Sequence, residues 1–517
     1  MFTNTVEEDP RTVDSSATVL VFIGDHSYST TLLTGAIVLC ILRFAWNQAG
    51  TRYSGKLPPG PRGLPFIGYL PFMGKDAHVT FWKLSKTYGP IVRVRVGAVN
   101  LIALNDFDSI KEGFMKKELL NRPQNLVLQQ SGINGIVTIN GEAWVDNRRY
   151  CLHVLRDLGF GKKSMEVHIK EEIQQLISKI STSSGSPMLI QDYLVPSMSN
   201  NITALVFGSR YPYDDPRRLF LDDTLKKVLK FLTTSNILTI LPAPLNKLVS
   251  LPFTKASSIT TVVSDMQEFV RKEVELHRAT LEEHSNRDFI DGYLKKMNES
   301  PPGSSSHFTL RHLLGNVINF FGAGSNTVQL SIHWHLLNCA HRIHDVQVKI
   351  QKEIDEVIGQ ERAPAWEDRS SMNFTMATIW EMLRWRTIAP MGLPRCVSED
   401  TYVGGYVLPA GSVVMPNLWA VHMNPEVWKN PEEFNPERFL QNTGTKLGDK
   451  PEHLIPFTLG KRMCPGETLA TMEIFLYLTS ILQKFNVLPE EGKSIDMVAR
   501  SKTVMAPVPQ HLRFVAR

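Results

Sequence analysis

The sequence predicts a mainly α fold with a smaller β portion, carried in one large domain behind an apolar N-terminal anchor. Three observations lead there. Helical spacing of apolar residues recurs after residue 140, short β-like runs lie near residues 91–103 and 402–415, and one N-terminal apolar run stands between acidic and basic flanks.

The 517 residues allow two to four domains by length, but also one large fold with a continuous core. With 43% hydrophobic and 21% charged residues the composition is globular. The net charge of +5 is spread along the chain and forms no stripe of the kind nucleic acid needs. It suits an acidic protein partner or an anionic membrane surface. Five cysteines, Cys40, Cys151, Cys339, Cys396 and Cys464, are odd in number and lack CxxC spacing. That argues against a disulfide framework or a zinc ribbon, and for a reducing compartment.

Residues 1–27 read as a lumenal segment: Glu7, Glu8, Asp9, Asp14 and Asp25 stand against Arg11 alone, unlike an Arg-rich transit peptide. Residues 28–46 read as a transmembrane anchor, short against the roughly 20 residues a spanning helix needs, with Arg43 snorkelling to the interface. Basic Arg52, Lys56 and Arg62 follow, which predicts the body on the cytosolic side. A buried N-terminal helix is the alternative. Residues 47–65 form a basic hinge whose Pro58, Pro59, Pro61 and Pro65 cannot propagate a helix. Residues 66–517 are the expected catalytic body.

Within that body, Ile91–Val96 and Leu101–Ala103 read as strands around a turn at Gly97–Asn100. Glu166–Ile180 and Val262–Glu283 show helical spacing, Asn298–His307 is a polar loop, and Phe308–Gly359 is a long helix interrupted near residues 338–345. Tyr402–Leu408 and Val413–Met415 read as strands. The apolar stretch Asn236–Phe253 holds three prolines and is no spanning helix. It is either a loop dipping into the membrane interface or a core segment.

The segment Phe457–Gly466 is where chemistry concentrates. Cys464 sits between Gly460 and Gly466, just before the apolar helix Leu469–Leu482. Glycines allow close approach to a flat ligand, and a helix N-terminus with Arg462 nearby favours a thiolate. A nucleophile would need a base, and only His453 is near in sequence.

The pattern Phe457-x-x-Gly460-x-Arg462-x-Cys464-x-Gly466 resembles the heme-binding loop of the cytochrome P-450 superfamily at all five positions. Other segments resemble the family in its order. Glu381–Arg384 resembles its Glu-x-x-Arg motif, and Pro436–Phe439 supplies Arg438 for a buried structural triad with Glu381 and Arg384. Trp144–Arg148 resembles its Trp-x-x-x-Arg motif, whose two donors contact a heme propionate, and Arg395 stands where the other propionate is often met. Gly322–Thr327 resembles the oxygen-binding groove. There Thr327 would serve dioxygen and proton delivery, but Asn326 replaces the usual acid and cannot relay by ionising. The hinge, Arg156–Ser164 and Asp288–Asp291 resemble animal microsomal members of the family-2 clan.

The resemblance implies the P-450 fold, a triangular prism of helices around heme b (iron protoporphyrin IX) with Cys464 as axial thiolate. It implies a monooxygenase that hydroxylates a lipophilic steroid, fatty acid or foreign compound. Electrons would come from NADPH through cytochrome P-450 reductase, with cytochrome b5 as a second donor. Arg148, Arg149, Lys461, Lys349 and Lys352 are candidates for docking that partner. Phe320, Ala323, Ile388, Met391, Leu393 and Val504, with part of the Asn125–Val137 loop, are the implied substrate pocket. The implied location is the endoplasmic reticulum membrane, single-pass, with the body cytosolic. A heme-thiolate isomerase or dehydratase of lipid peroxides, needing no reductase, is motivated by Asn326. A heme carrier or sensor without turnover is the third reading. His333, His335, His341 and His344 do not share one helical face and are not read as a zinc site.

Overall fold

Helix starts are set by side chains that satisfy free amides. Asp106 accepts from the Ser109 amide at 3.1 Å, Asp288 from Asp291 at 2.9 Å and Thr309 from His312 at 3.3 Å, each opening the helix that follows. The computed structural model describes residues 30–40, 55–65, 67–97, 99–124, 132–160, 163–234, 255–299, 306–441, 444–501 and 503–517.

In chain order the described helices are α1 (Ala77–Tyr88), α2 (Phe107–Met115), α3 (Gly141–Asp157), α4 (Lys163–Ser181) and α5 (Gln191–Val206). Then come α6 (Pro216–Thr234), α7 (Lys255–Ala279), α8 (Phe289–Asn298), α9 (Leu310–His341), α10 (Val348–Val357), α11 (Asn373–Trp385), α12 (Leu418–His422) and α13 (Glu467–Lys484). The main sheet has four strands in the order β1 (Ile91–Val96), β2 (Val99–Leu104), β6 (Val413–Pro416) and β3 (Arg395–Cys396). β1 pairs antiparallel with β2 (Ile91 opposite Leu104), β2 parallel with β6 and β6 antiparallel with β3. Thr401–Val403 (β4) and Tyr406–Leu408 (β5) form one hairpin, and Leu440–Gln441 (β7) with Lys446–Leu447 (β8) another. Phe485–Pro489 (β9) pairs with Leu512–Ala516 (β12), and Ala499–Ser501 (β10) with Met505–Pro507 (β11).

Most expected elements are present with shifted boundaries, but Tyr402–Leu408, read as one strand, is the hairpin β4–β5, because Gly404 and Gly405 at φ +56° and +77° turn the chain between them. The interruption of the long helix falls at Arg342, followed by a π-turn over Ile343–Gln347. Gln347 explains it: its amide donates to Cys339 O at 3.3 Å and Val487 O at 2.9 Å, and its oxygen accepts from Val487 N at 2.6 Å. One side chain thus satisfies a helix-end carbonyl and one edge of β9.

α9 runs through the centre and is buried along most of its length, packed mainly against α5 and α13. A large apolar cluster from α3–α8, α10, α11 and α13 surrounds it, and a second cluster backs the four-stranded sheet. Residues 30–40 are helical with exposed side chains. At 1.5 Å per residue that helix is about 16 Å long, short of a bilayer core of roughly 30 Å. No helix among the described residues is long and apolar enough to cross a membrane. Residues 1–27, the rest of the expected anchor, residues 47–54 of the hinge and the stretch 236–253 lie outside the described residues.

At the α5–α13 crossing, Asn201 Nδ2 donates to Glu473 Oε1 at 2.9 Å, while Glu473 Oε2 and Asn201 Oδ1 are both buried without a partner. A proton on Oε2 would let the acid and amide bond reciprocally. Burial pushes the Glu473 carboxyl up to about 8. The unfolded chain therefore ionises first, so stability is full below the ordinary carboxylate value of 4.5 and falls as pH rises toward 8. Glu473→Gln supplies the reciprocal amide without a proton. Its unfolding midpoint should change less between pH 5 and 8 than that of the parent, and parallel pH profiles would refute the assignment.

Candidate functional site

The cysteine loop is fixed from within and from below. Cys464 N donates to Phe457 O at 3.0 Å and Met463 N to Gly460 O at 2.9 Å. Gly460 has φ +78°, and a Cβ there would stand 2.2 Å from Phe114 O, so glycine is demanded by the backbone of α2. Gly466 has an ordinary φ of −91° as the N-cap of α13, and a Cβ there would meet Cys464 Sγ at 3.8 Å, a normal contact. Gly460 is thus required by packing against α2, whatever it admits on its other side. Thr458 is β-branched at φ +62°, a strained conformation held inside this loop.

Burial pushes Cys464 up from its ordinary value, against the pull of the Gly466 amide and Arg148. Arg462 is not the cation that faces it. Arg462 turns away to Ile136 O (3.1 Å), Ile139 O (2.6 Å) and Asn140 Oδ1 (3.2 Å), and Arg148 instead donates to Met463 O at 2.6 Å. Two Arg–Trp stacks bracket Trp144, with Arg462 4.0 Å and Arg148 6.0 Å from its ring. His453 packs on Phe107.

Positive charge accumulates here, with no carboxylate paired to Arg122, Arg395 or Arg462 among the described residues. Arg122, Arg395 and Arg462 are buried. Burial first, and mutual repulsion second, pull Arg462 down to about 8, Arg395 to about 7 and Arg122 to about 9. Arg122 is satisfied by three carbonyls, Val137 O, Leu393 O and Pro394 O, at 2.8–3.1 Å. Arg395 Nε and Nη1, Arg462 Nε and Trp144 Nε1 are buried with no partner. A buried cation left unpaired costs several kcal/mol, so this cluster is built for an anion with more than one charge.

A second assembly lies beneath the loop. Glu381 on α11 accepts from Arg384 Nε (2.7 Å) and Nη2 (2.8 Å), from Arg438 Nε (3.1 Å to each oxygen) and from Asn435 N (2.8 Å). Glu381 and Arg384 are fully buried. Arg384 Nη1 reaches His422 O at 2.7 Å. His422 was not read from the sequence, yet it connects this triad to the loop. Its Nε2 accepts from Ile455 N at 3.0 Å, so the proton sits on Nδ1, 2.7 Å from Thr387 Oγ1. Thr387 in turn donates to Arg384 O at 2.9 Å. Burial pulls His422 down to about 3, keeping it neutral.

On α9, Ala323 and Thr327 are exposed, and Thr327 Oγ1 bonds back to Ala323 O at 2.8 Å. Asn326 is buried on another face, its amide 3.4 Å from Leu225 O of α6. Gly324 serves helix packing, since a Cβ would meet Ile202 of α5 at 2.7 Å, whereas Gly322 has open space. The loop at 132–140 is clamped to α9: Asn316 accepts from Ile136 N (2.8 Å), Asn319 from Val137 N (3.0 Å), and Gly135 crosses Gly315 with no room for a Cβ.

The expected pocket residues divide. Ile388 and Val504 meet Leu330, Leu229 and Leu232 in one apolar cluster. Phe320 packs edge-on against Phe289, Met391 belongs to the core behind the sheet, and Leu393 is exposed with its carbonyl held by Arg122. Leu229 and Leu232 carried no sequence signal beyond helical spacing. His333 and His335 are buried and pulled down to about 4 by burial, while His341 and His344 are exposed. Asp288 bonds His277 at 2.8 Å.

Residues 58–514 match the Cytochrome P450 family. The chain belongs to that family. It is 34% identical to cytochrome P450 2H2 of Gallus gallus over 94% of this chain and 99% of that one. It is likewise 34% identical to cytochrome P450 2J3 of Rattus norvegicus, over 94% and 96%. Cytochrome P450 18a1 of Drosophila melanogaster matches at 30%, over 91% of this chain and 89% of its own. The protein is thus a P450 monooxygenase, an oxidoreductase of a family that binds heme b through an axial cysteine thiolate. The unpartnered donors fit such a group, because heme b brings two carboxylates to a pocket holding buried cations and a lone indole N–H.

The His422 connection makes a direct prediction for this P450. His422→Ala removes the acceptor of Ile455 N, whereas the amide oxygen of His422→Gln can replace Nε2. Hydrogen exchange at Ile455 should speed about tenfold in the alanine variant, the worth of one net hydrogen bond, and recover in the glutamine variant. Unchanged exchange in His422→Ala would show that the histidine holds nothing.

Proposed function

We propose that the chain hydroxylates a lipophilic substrate with one atom of dioxygen, using Cys464 as the iron ligand and electrons from NADPH through cytochrome P-450 reductase or cytochrome b5. The observation that carries this reading is the set of unpartnered donors at Trp144, Arg395 and Arg462 beside the Cys464 loop. Heme, once bound, supplies oxygen activation, and the thiolate's electron donation favours O–O cleavage.

The chain's own residues do the rest. Arg395, Arg462 and the Trp144 indole hold the propionates, while Arg148 braces the loop through Met463 O. Metal ligation keeps Cys464 ionised against the upward pull of burial. The Glu381–Arg384–Arg438 triad and His422 keep the loop from shifting. Thr327 presents its hydroxyl to the groove for proton delivery. Asn326 is oriented toward α6 and contributes position rather than acid. Ile388 and Val504, with Leu330, Leu229 and Leu232 in the same apolar cluster, favour an apolar substrate and exclude water.

Two surfaces complete the reading. Arg149 and Lys461 are exposed near the loop and suit an acidic electron donor, whereas Lys349 is already paired with Glu437 at 2.9 Å. Exposed Leu32, Leu33, Ile37, Val38 and Leu39 on the 30–40 helix support attachment to the endoplasmic reticulum membrane as part of the 28–46 anchor, with the body cytosolic. Asn326 favours one alternative, a reductase-independent isomerase, which turnover without NADPH would select.

The test is spectroscopic first. The reduced carbon monoxide difference spectrum of the parent should show the thiolate Soret band, and Cys464→Ala should lose it. Arg395→Met should stabilise the heme-free protein by removing an unpaired buried cation, yet weaken heme retention about 10–100-fold, the worth of a charge-assisted bond. A parent band at the histidine position, or normal heme retention in the Arg395 variant, would overturn the assignment.

A further inference from the structure

From Thr327, α9 carries a polar line onward that the site described above does not use. Thr327, Ser331, His335, Asn338 and Arg342 recur at steps of three or four residues, which sets them on one side of the helix axis. Ser331 Oγ donates to Thr327 O at 3.0 Å and His335 Nδ1 to Ser331 O at 2.8 Å. With Nδ1 donating, His335 Nε2 is an acceptor that points off the helix. That atom, both amide atoms of Asn338 and Arg342 Nε are buried without a partner. His335 and Asn338 are each 1% exposed, among the apolar Leu336, Leu337, Cys339 and Ala340. An asparagine with its whole hydrogen-bonding capacity unmet inside a core needs water as its partner.

The far end of the line reaches solvent. Arg342 lies in an open surface groove of about 220 Å³ shared with Asp345, Lys349, Asn435 and Glu437. The near end is Thr327, whose side chain is exposed in the segment that resembles the oxygen-binding groove. The distance between them along the helix is about 22 Å. Hydroxylation consumes dioxygen, two electrons and two protons, and returns hydroxylated product and one water. The electrons come from the donor protein and the protons from solvent. Asn326 cannot bring those protons, being un-ionisable and engaged with Leu225 O on a different face.

We propose that Ser331, His335 and Asn338 are water-positioning residues, holding a buried file of water that carries protons from the Arg342–Asp345–Glu437 groove to the Thr327 hydroxyl. The histidine passes no proton itself. Its Nδ1–H is committed to a carbonyl, and its Nε2 and the Asn338 amide fix the oxygens between which protons hop. This rests on the monooxygenase reading and gives that reaction the proton source its groove lacks.

Asn338→Leu tests it, measured on the purified heme-loaded protein with the parent and with Gln329→Leu. Gln329 is also buried with an unpartnered oxygen but lies on the opposite side of α9. Asn338→Leu should leave the carbon monoxide band and substrate-binding spectrum intact and raise the unfolding midpoint, since an unmet amide is removed. Product formed per NADPH should fall about 100-fold, the low end of what a positioned proton-transfer group contributes, with peroxide replacing it and a larger solvent isotope effect. Ser331→Ala should move the same quantities, and Gln329→Leu should not. Water-proton relaxation dispersion should count fewer long-lived buried waters in Asn338→Leu than in the parent. An unchanged water count, unchanged coupling in Asn338→Leu, or an equal loss in Gln329→Leu would each overturn the proposal. A parent that consumes no NADPH would instead defeat the monooxygenase reading, and the water count would still judge the file.

Discussion

Three buried guanidinium groups with no carboxylate among their described neighbours impose the condition that organises this protein. Arg122 is quieted by carbonyls, but Arg395 and Arg462 keep bare N–H groups in a low-dielectric pocket, where each also repels the other and Arg148. Folding the chain alone concentrates charge that water no longer screens. A dianionic planar ligand removes that penalty, so cofactor binding and folding stability are linked, and the pocket selects for carboxylates before any iron chemistry begins.

Such a pocket needs a frame that does not yield to the repulsion, and the frame is built from charge of the opposite sign. Glu381 accepts five hydrogen bonds from three residues, so its two partner arginines are compensated where Arg395 and Arg462 are not. The contrast divides structural from functional arginines within one fold. Arg384 then reaches His422 O, and the His422 ring reaches Ile455 N, nine residues before Cys464. The loop is thus pinned to the triad at one end and to α2 at the other, where Gly460 lies against Phe114 O.

Local pattern made part of this legible. The Glu381–Arg384 pair is one helical turn, the cysteine loop is ten consecutive residues, and the strands and the break in the long helix follow from periodicity and turn chemistry. What escaped depends on contacts between distant segments. His422 meets Ile455 and Thr387 only after folding, and Arg122 reaches Leu393 O across 271 residues. The direction of a side chain was equally hidden: Arg462 stands two residues from Cys464 yet faces the 132–140 loop, so proximity in sequence gave the wrong cation. Burial, which pushes that thiol up, is a tertiary quantity. The pocket divided for the same reason, since Phe320 and Met391 are drawn to Phe289 and to the sheet core by apolar neighbours no local pattern reveals.

α9 shows how one helix serves several demands by dividing its circumference. The Gly324 side lies close against Ile202, and the Asn326 side is spent on the α6 backbone, so neither is free for chemistry. The Thr327 side is left, and there polar residues continue far beyond the groove into a core that would be better stabilised by leucine. A buried asparagine without a partner is retained against that cost only if its polarity is used. With the acid position occupied by an amide turned elsewhere, the demand for protons and the surplus of unmet polar atoms fall on the same face of the same helix, and a hydrated line along it satisfies both.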